Sequence, residues 1–166
     1  MYFRGTNNTL EHFNYLSKTY DLFNLNKVVI TGLSAGGMAT YAWAQHLQDH
    51  TKTSKILAIA DSGLFITDYY SPIAKEKIIR VRAENLLKLI GQDFEAFPEP
   101  IKKCYNDTQD VVTCFDASNY AKYITAPLLM IESTYDAWVI NNVLAINCLK
   151  NKSPPYSLSS CTDNER

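Results

Sequence analysis

The 166-residue chain reads as an α/β protein, a parallel sheet covered by helices on both faces. Three observations predict this. The short apolar runs "KVVIT" (27–31), "KILAIA" (55–60) and "PLLMI" (127–131) have the composition of fully buried strands, not the alternation of half-exposed ones. Segments with helical spacing alternate with these runs. The first strand also runs straight into "GLSAGGMATYAW" (32–43), the form of a strand turning sharply into a helix.

Taken in order, Leu10, Phe13, Leu16, Tyr20 and Phe23 recur at helical spacing behind the cap candidates Asn8 and Thr9, which predicts a helix over 9–24. After the first strand, Ala35, Met38, Ala39, Ala42, Trp43 and Leu47 predict a helix to about His50. Between 63 and 126 the pattern weakens into helical pieces around Ile73–Ile90 and Pro100–Cys104, rich in Tyr and Phe, and this stretch reads as a cap-like insertion. A last helix is expected over Trp138–Leu149, then a loop-like tail, "NKSPPYSLSSCTDNER". Length suggests one domain over residues 1–166.

Composition narrows the partners. With 16 basic and 17 acidic side chains and a formal charge of −1, no basic field is available for nucleic acid or an anionic membrane. No apolar run approaches the ~20 residues of a bilayer span. The start, "MYFRGTNNTLEHF", lacks the charged and apolar regions of a signal peptide. The cysteines point the other way. Cys104 with Cys114, and Cys148 with Cys161, enclose short segments of the kind closed by local disulfides; the alternative is four reduced cysteines packed as small hydrophobes. Neither a C-x-x-C pair nor a His-rich companion suggests zinc, and no metal or organic cofactor is expected. N-x-[ST] triplets at Asn7, Asn106 and Asn151 also favour a glycosylated, secreted protein, although Pro154 makes the last a poor acceptor. An extracellular or secretory-pathway location follows as the expectation, with the signal lying upstream of this chain.

"TGLSAGG" (31–37) has a mechanical meaning on a parallel sheet. A G-x-S-x-G step between strand and helix is the nucleophile elbow of α/β-hydrolases. Gly32 and Gly36 are expected where Cβ atoms would collide in the tight turn, and Gly37 where the helix packs closely on the sheet. Ser34 Oγ would then stand at the positive end of a helix dipole, with the Ala35 N–H aimed at a developing oxyanion. The competing reading makes Ser34 a mere helix cap and the glycines a simple tight turn.

Beyond the elbow, five ordered blocks resemble the pectin acetylesterase and Notum family of α/β-hydrolase-like carboxylesterases. They are "YFRG" (2–5), "VVITGLSAGGMA" (28–39), "LAIADSGLF" (57–65), "CF" (114–115) and "APLLMIESTYDAW" (126–138). They cover nearly the whole chain but only the later part of a family domain, so an incomplete hydrolase fold, a fragment, is expected. The resemblance implies Ser34 as nucleophile, Asp136 as triad acid, Ala35 as an oxyanion donor, and disulfides like the two pairs above. The chain offers its own reason for Asp136, which falls just beyond the "PLLMI" strand on the same sheet edge as Ser34, where a carboxylate can orient an imidazole. Asp61, in the "ADSG" turn one strand earlier, is the rival and reads as structural.

The base is harder to find. The chain's histidines are His12, His46 and His50, all before Asp136, whereas α/β-hydrolases run Ser, acid, His. At 1.5 Å per residue, His46 and His50 should lie roughly 17 and 23 Å along the helix from the elbow. His12 should sit to one side, exposed in a first helical turn. The triad histidine is therefore expected outside this chain, as is a Gly-rich oxyanion loop that family members carry before "YFRG". Two functions stay open: a serine carboxylesterase acting on an acetylated polysaccharide or an acylated protein, or a non-catalytic remnant that at most binds acylated ligands. Phe65, Tyr69, Tyr70, Phe94 and Phe97 are the aromatics available either to pack the cap or to wall a pocket.

Overall fold

A computed structural model describes residues 4–51, 55–90, 97–149, 159 and 161–163. Three parallel strands form one sheet in the order β1-β2-β3: β1 (Lys27–Leu33), β2 (Lys55–Asp61) and β3 (Leu128–Ile131). Val28 is in register with Ile56 and Leu33 with Asp61, while Ala58 is paired with Leu128 and Asp61 with Ile131. All three strands therefore end together, at the edge where the β1 chain turns into helix. An α/β architecture with a parallel sheet and flanking helices is the observed fold.

Helix α1 (Gly5–Tyr20) starts four residues earlier than its spacing suggested and ends earlier too. Asp21 adopts the left-handed conformation, φ 55° and ψ 40°, and its N–H closes on the Ser17 carbonyl, so Phe23 falls in a separate 3₁₀ turn (Leu22–Asn24). Helix α2 (Ala35–His50) runs back along the sheet and buries Thr40, Tyr41, Ala44 and Leu47. Ala58 and Ala60 on β2 are fully buried and small, which lets α2 lie close to the strands. Leu22, Val28, Ala44, Leu47, Ile56 and Ala58 form the main core, with Phe13 and Leu16 of α1 packed against it.

The stretch between 63 and 126 is mostly helical, with boundaries that differ from the expected ones. Residues 71–76 make a turn closed by a Ser71–Glu76 bridge, with Lys75 at φ 59°, so α3 begins only at Ile78 and runs to Ile90. Helix α4 (Glu99–Thr108) and the short α5 (Ala117–Tyr120) build a second core with Tyr41 and Ala60, around the fully buried Cys104–Cys114 disulfide. Cys148 and Cys161 are bonded as well, so both expected pairings are present. The helix expected over Trp138–Leu149 is broken: α6 spans Ala137–Asn142, Ala145 turns with φ 63°, and a 3₁₀ turn follows at Asn147–Leu149.

Cover is not equal on the two sides of the sheet. Facing α2, Val28, Ile56, Ala58 and Ala60 are at most 9% exposed. On the other side Val29, Leu33, Leu57, Leu129 and Ile131 are 38–66% exposed. Helices α1, α4 and α5 join α2 on the more deeply buried face. No helix of the described residues is long and apolar enough to cross a membrane.

Candidate active site

β1 ends at Leu33 and the chain reverses at Ser34, whose φ of 56° and ψ of −116° lie outside the ordinary wells for a residue with a side chain. Two hydrogen bonds hold it there. The Ser34 N–H donates to the Asp61 carbonyl at the end of β2 (2.8 Å), and the Ser34 carbonyl accepts from Met38 N–H (3.0 Å), closing the first turn of α2. Ser34 stands at the N-cap position, yet its side chain makes no capping hydrogen bond, and the residue is exposed. The N–H groups of Ala35, Gly36 and Gly37 begin the helix and have no acceptor within it, so they present a positive helix end beside Ser34.

The glycines divide the work differently from expectation. A Cβ on Gly32 would lie 2.3 Å from the Gly36 carbonyl oxygen, an impossible contact with fixed backbone. A Cβ on Gly36 would meet nothing within 4 Å, which corrects the expected crowding there: Gly36 is the wall that Gly32 must clear. Gly37 is the close-packing position, since its Cβ would lie 2.7 Å from the Asp61 carbonyl oxygen and 2.8 Å from Gly63 Cα. Sequence reasoning missed Gly63. Its own Cβ would come within 2.6 Å of the Gly37 backbone, so the two glycines press the start of α2 against the turn after β2. The signal was present in "ADSG", a glycine just after a strand beside the one carrying a G-x-S-x-G step.

Asp61 meets Ser34 through its main chain. Its carboxylate instead accepts from the Ser62 hydroxyl at 2.8 Å. Asp136 follows β3 by five residues, and its Oδ1 accepts from Val139 N–H at 2.8 Å, capping α6. Since β1 and β3 flank β2, their ends are about 10 Å apart at ordinary strand spacing. Ser34, Asp61 and Asp136 therefore all follow the same, C-terminal ends of the strands, and Trp138, two residues past Asp136, lines one cavity with Met38 of α2. Glu132, which the sequence did not single out, ties this edge together: its Oε1 accepts from Leu64 N–H at 2.7 Å, linking the end of β3 to the turn after β2.

All three histidines lie away from the elbow. His46 and His50 stack on each other with ring centroids 4.1 Å apart, toward the far end of α2. Phe13 of α1 packs on both Trp43 and His46, so α1 crosses that same distal half. His12 is exposed in the middle of α1, not in a first turn. Burial, reinforced by the neighbouring His50, holds the His46 imidazole below its ordinary value against the opposing pull of Asp49.

Of the aromatics, Phe65 and Tyr69 line an apolar cavity of about 300 Å³ with Trp138 and Val139 of α6. Phe97 lines a second cavity, of about 170 Å³, with Met38 and Ala42 of α2. Tyr70 is 54% exposed, and Phe94 lies outside the described residues, as does Asn151. Asn7 and Asn106 are exposed on α1 and α4. Among the described residues no three His, Cys, Asp or Glu side chains gather as metal ligands would.

A family model described as Pectinacetylesterase matches residues 1–166. The chain is 24% identical over 130 residues to pectin acetylesterase 5 of Arabidopsis thaliana, covering 71% of this chain and 26% of that protein. It is 27% identical over 144 residues to pectin acetylesterase 11 of the same plant, covering 84% of this chain and 35% of the other. The chain thus spans about a quarter to a third of the length of these relatives. No solved structure matches it.

Proposed function

Because the chain belongs to the pectinacetylesterase family, we propose that it carries the nucleophile and acid of a serine carboxylesterase that removes acetyl groups from a polysaccharide. The family implies ester hydrolysis of an acetylated substrate; the assignment of residues is our reading of the site. One observation carries it. Ser34 is held at φ 56° on the end of a parallel strand, ahead of a 16-residue helix, with its hydroxyl unused by the helix it begins. A serine acting only as a cap would spend that hydroxyl on an N–H of the first turn.

In this reading Ser34 Oγ attacks the acetyl carbonyl, and the Ala35 N–H, at the start of α2, stabilises the oxyanion. The leaving sugar hydroxyl takes the proton that the base removed from Ser34, and water then frees acetate from the acyl-serine. Asp136 orients the base and stabilises its charged form. The base is a histidine supplied from outside residues 1–166, since His12, His46 and His50 all lie on the wrong part of α1 and α2. Secretion and glycosylation at Asn7 or Asn106 fit the two disulfides.

The absence of a histidine at the elbow favours a second reading, a non-catalytic chain that at most binds acylated ligands. Hydrolysis of p-nitrophenyl acetate and labelling by a fluorophosphonate separate the two. Loss of a triad member typically removes ~10⁴ of rate, so the 166 residues alone should turn over little. A longer product of the same gene should gain both signals and lose them on Ser34→Ala. Activity that survives Ser34→Ala rejects the nucleophile, and activity of the short chain that vanishes with His12→Ala means the base was misplaced. A longer product with neither signal leaves the non-catalytic reading.

A further inference from the structure

The ladder between β2 and β3 ends in an unusual way. In a parallel pair, alternate residues of one strand bond to a given neighbour. Ala58 N–H donates to the Pro127 carbonyl at 2.9 Å and Ser62 N–H to the Ile131 carbonyl at 2.7 Å, with Ala60 in register with Met130 between them. The same offset would bring the next donor, Leu64 N–H, to the Ser133 carbonyl. It goes instead to Glu132 Oε1, at 2.7 Å. A carboxylate thus takes the place of a main-chain acceptor for one step of the ladder, and the backbone at Ser133 is free to leave the sheet. There it turns, with Tyr135 N–H donating to the Ser133 hydroxyl at 3.2 Å, and Asp136 follows, accepting from Val139 N–H at the start of α6.

Leu64 gives this turn a fixed anchor. It follows Ser62, which sits at φ 51°, and Gly63, which meets the Gly37 backbone beneath the elbow. Leu64 packs against the core of Tyr41, Ala60 and the Cys104–Cys114 pair. Its neighbour Phe65 meets the Trp138 ring edge-on at 5.3 Å. Leu64 and Phe65 therefore hold the chain on both sides of Asp136, through Glu132 before it and Trp138 after it. Of these two contacts only the first is directional. Among the described residues Glu132 forms no ion pair, so the Leu64 N–H is what fixes its carboxylate.

We propose that Glu132 is a positioning residue for Asp136, setting where the acid stands relative to the Ser34 elbow. It acts through the main chain: the Leu64 bond fixes the start of the turn, residues 133–135 carry that placement forward, and the Asp136 cap on α6 completes it. A triad acid works by orienting an imidazole, so a small displacement of its turn is felt in the rate. The role requires an acceptor oxygen at this place and not a charge, which glutamine supplies and alanine does not. The inference rests on Asp136 being the triad acid, as proposed above, but the positioning itself needs no chemistry.

That independence gives the test. Amide hydrogen exchange on the 166-residue protein follows Leu64 and Val139, whose N–H groups report the two ends of the turn. Glu132→Ala should speed exchange at both by about tenfold, because the orphaned Leu64 N–H opens the turn and Asp136 leaves its cap. Glu132→Gln should keep both within about threefold of the wild type. Glu132→Leu, which fills the space without an acceptor, serves in place of the alanine variant if that one fails to fold. In a longer product of the same gene, Glu132→Ala should lower kcat for p-nitrophenyl acetate about thirtyfold with KM within about twofold, and Glu132→Gln should recover most of the loss. Faster exchange at Leu64 with Val139 unchanged overturns the proposal. So does a glutamine variant as damaged as the alanine one, which would make the charge the essential feature. Coupled exchange at both amides in a gene product that fluorophosphonate never labels sustains the positioning and rejects the esterase. Labelling that Ser34→Ala abolishes, beside full activity in Glu132→Ala, does the reverse.

Discussion

The two faces of the sheet are built from the same kinds of residue and meet different fates. Ile56 and Leu57 are neighbours on β2; the first is 2% exposed beneath α2 and the second 38% exposed on the opposite side. An apolar run such as "KILAIA" records that both faces are suited to burial, not that one stretch of chain supplies both covers. Here α1 and α2 gather over Val28, Ile56 and Ala58, with α4 and α5 beside them on Tyr41 and Ala60, while the apolar row on the other side stays 38–66% exposed. The covered face carries stability and holds the elbow, whereas the bare face contributes little to either and invites association.

The sharpest way to break this comparison is to truncate the two neighbours. Ile56→Ala should cost about 3 kcal/mol, because it leaves a hole among Val28, Ala44 and Leu47. Leu57→Ala should cost well under 1 kcal/mol. Chemical denaturation of the two variants measures both, and equal costs would mean that the bare face is buried in solution.

Next in size is the seam where α2 meets the sheet. Gly37→Ala forces a Cβ to within 2.7 Å of the Asp61 carbonyl oxygen, and should cost about 2 kcal/mol while shifting Ser34. Gly36→Ala meets no atom and should be neutral or slightly stabilising, since alanine is the better helix former. A Gly36 variant as damaged as the Gly37 one would reverse the assignment of the two glycines. On the bare face, Leu33→Ser with Leu129→Ser should change the unfolding free energy by less than about 1 kcal/mol yet reduce association in sedimentation velocity. A wild-type chain already monodisperse under the same conditions would remove the reason for that variant.

How far the sequence could be read follows from what each signal encodes. The strands and α2 were legible because buried parallel strands and a glycine-flanked serine leave strong local patterns. The disulfides followed from short loops together with the family resemblance. Helix ends were not legible where a single backbone angle decides them. Asp21 and Ala145 turn left-handed without glycine, and this stopped α1 early and broke the helix expected over 138–149. Gly63 and Glu132 were missed because their roles lie between segments: one backs onto Gly37, the other reaches from the end of β3 to Leu64 N–H. The one-sided cover was invisible for the same reason, since hydropathy says what can be buried and not what arrives to bury it.

The smallest effect expected is in pH, and it should belong to the covered side alone. Phe13 of α1 stacks on His46, and Trp43 meets the same imidazole edge-on, so this ring is part of the joint between α1 and α2. Burial and the adjacent His50 hold His46 below its ordinary value, so the folded state resists protonation there more than the unfolded chain does. Stability from this group is then complete above about pH 6.5, the unfolded value, and declines as the pH falls toward the lower folded one. The melting temperature should therefore be lower at pH 5.5 than at pH 7.5, and His46→Gln should shrink the difference. A wild-type difference that His46→Gln leaves intact would place the titrating group elsewhere, and a rise in melting temperature on acidification would mean that the imidazole is stabilised in its charged form, by Asp49 outweighing burial.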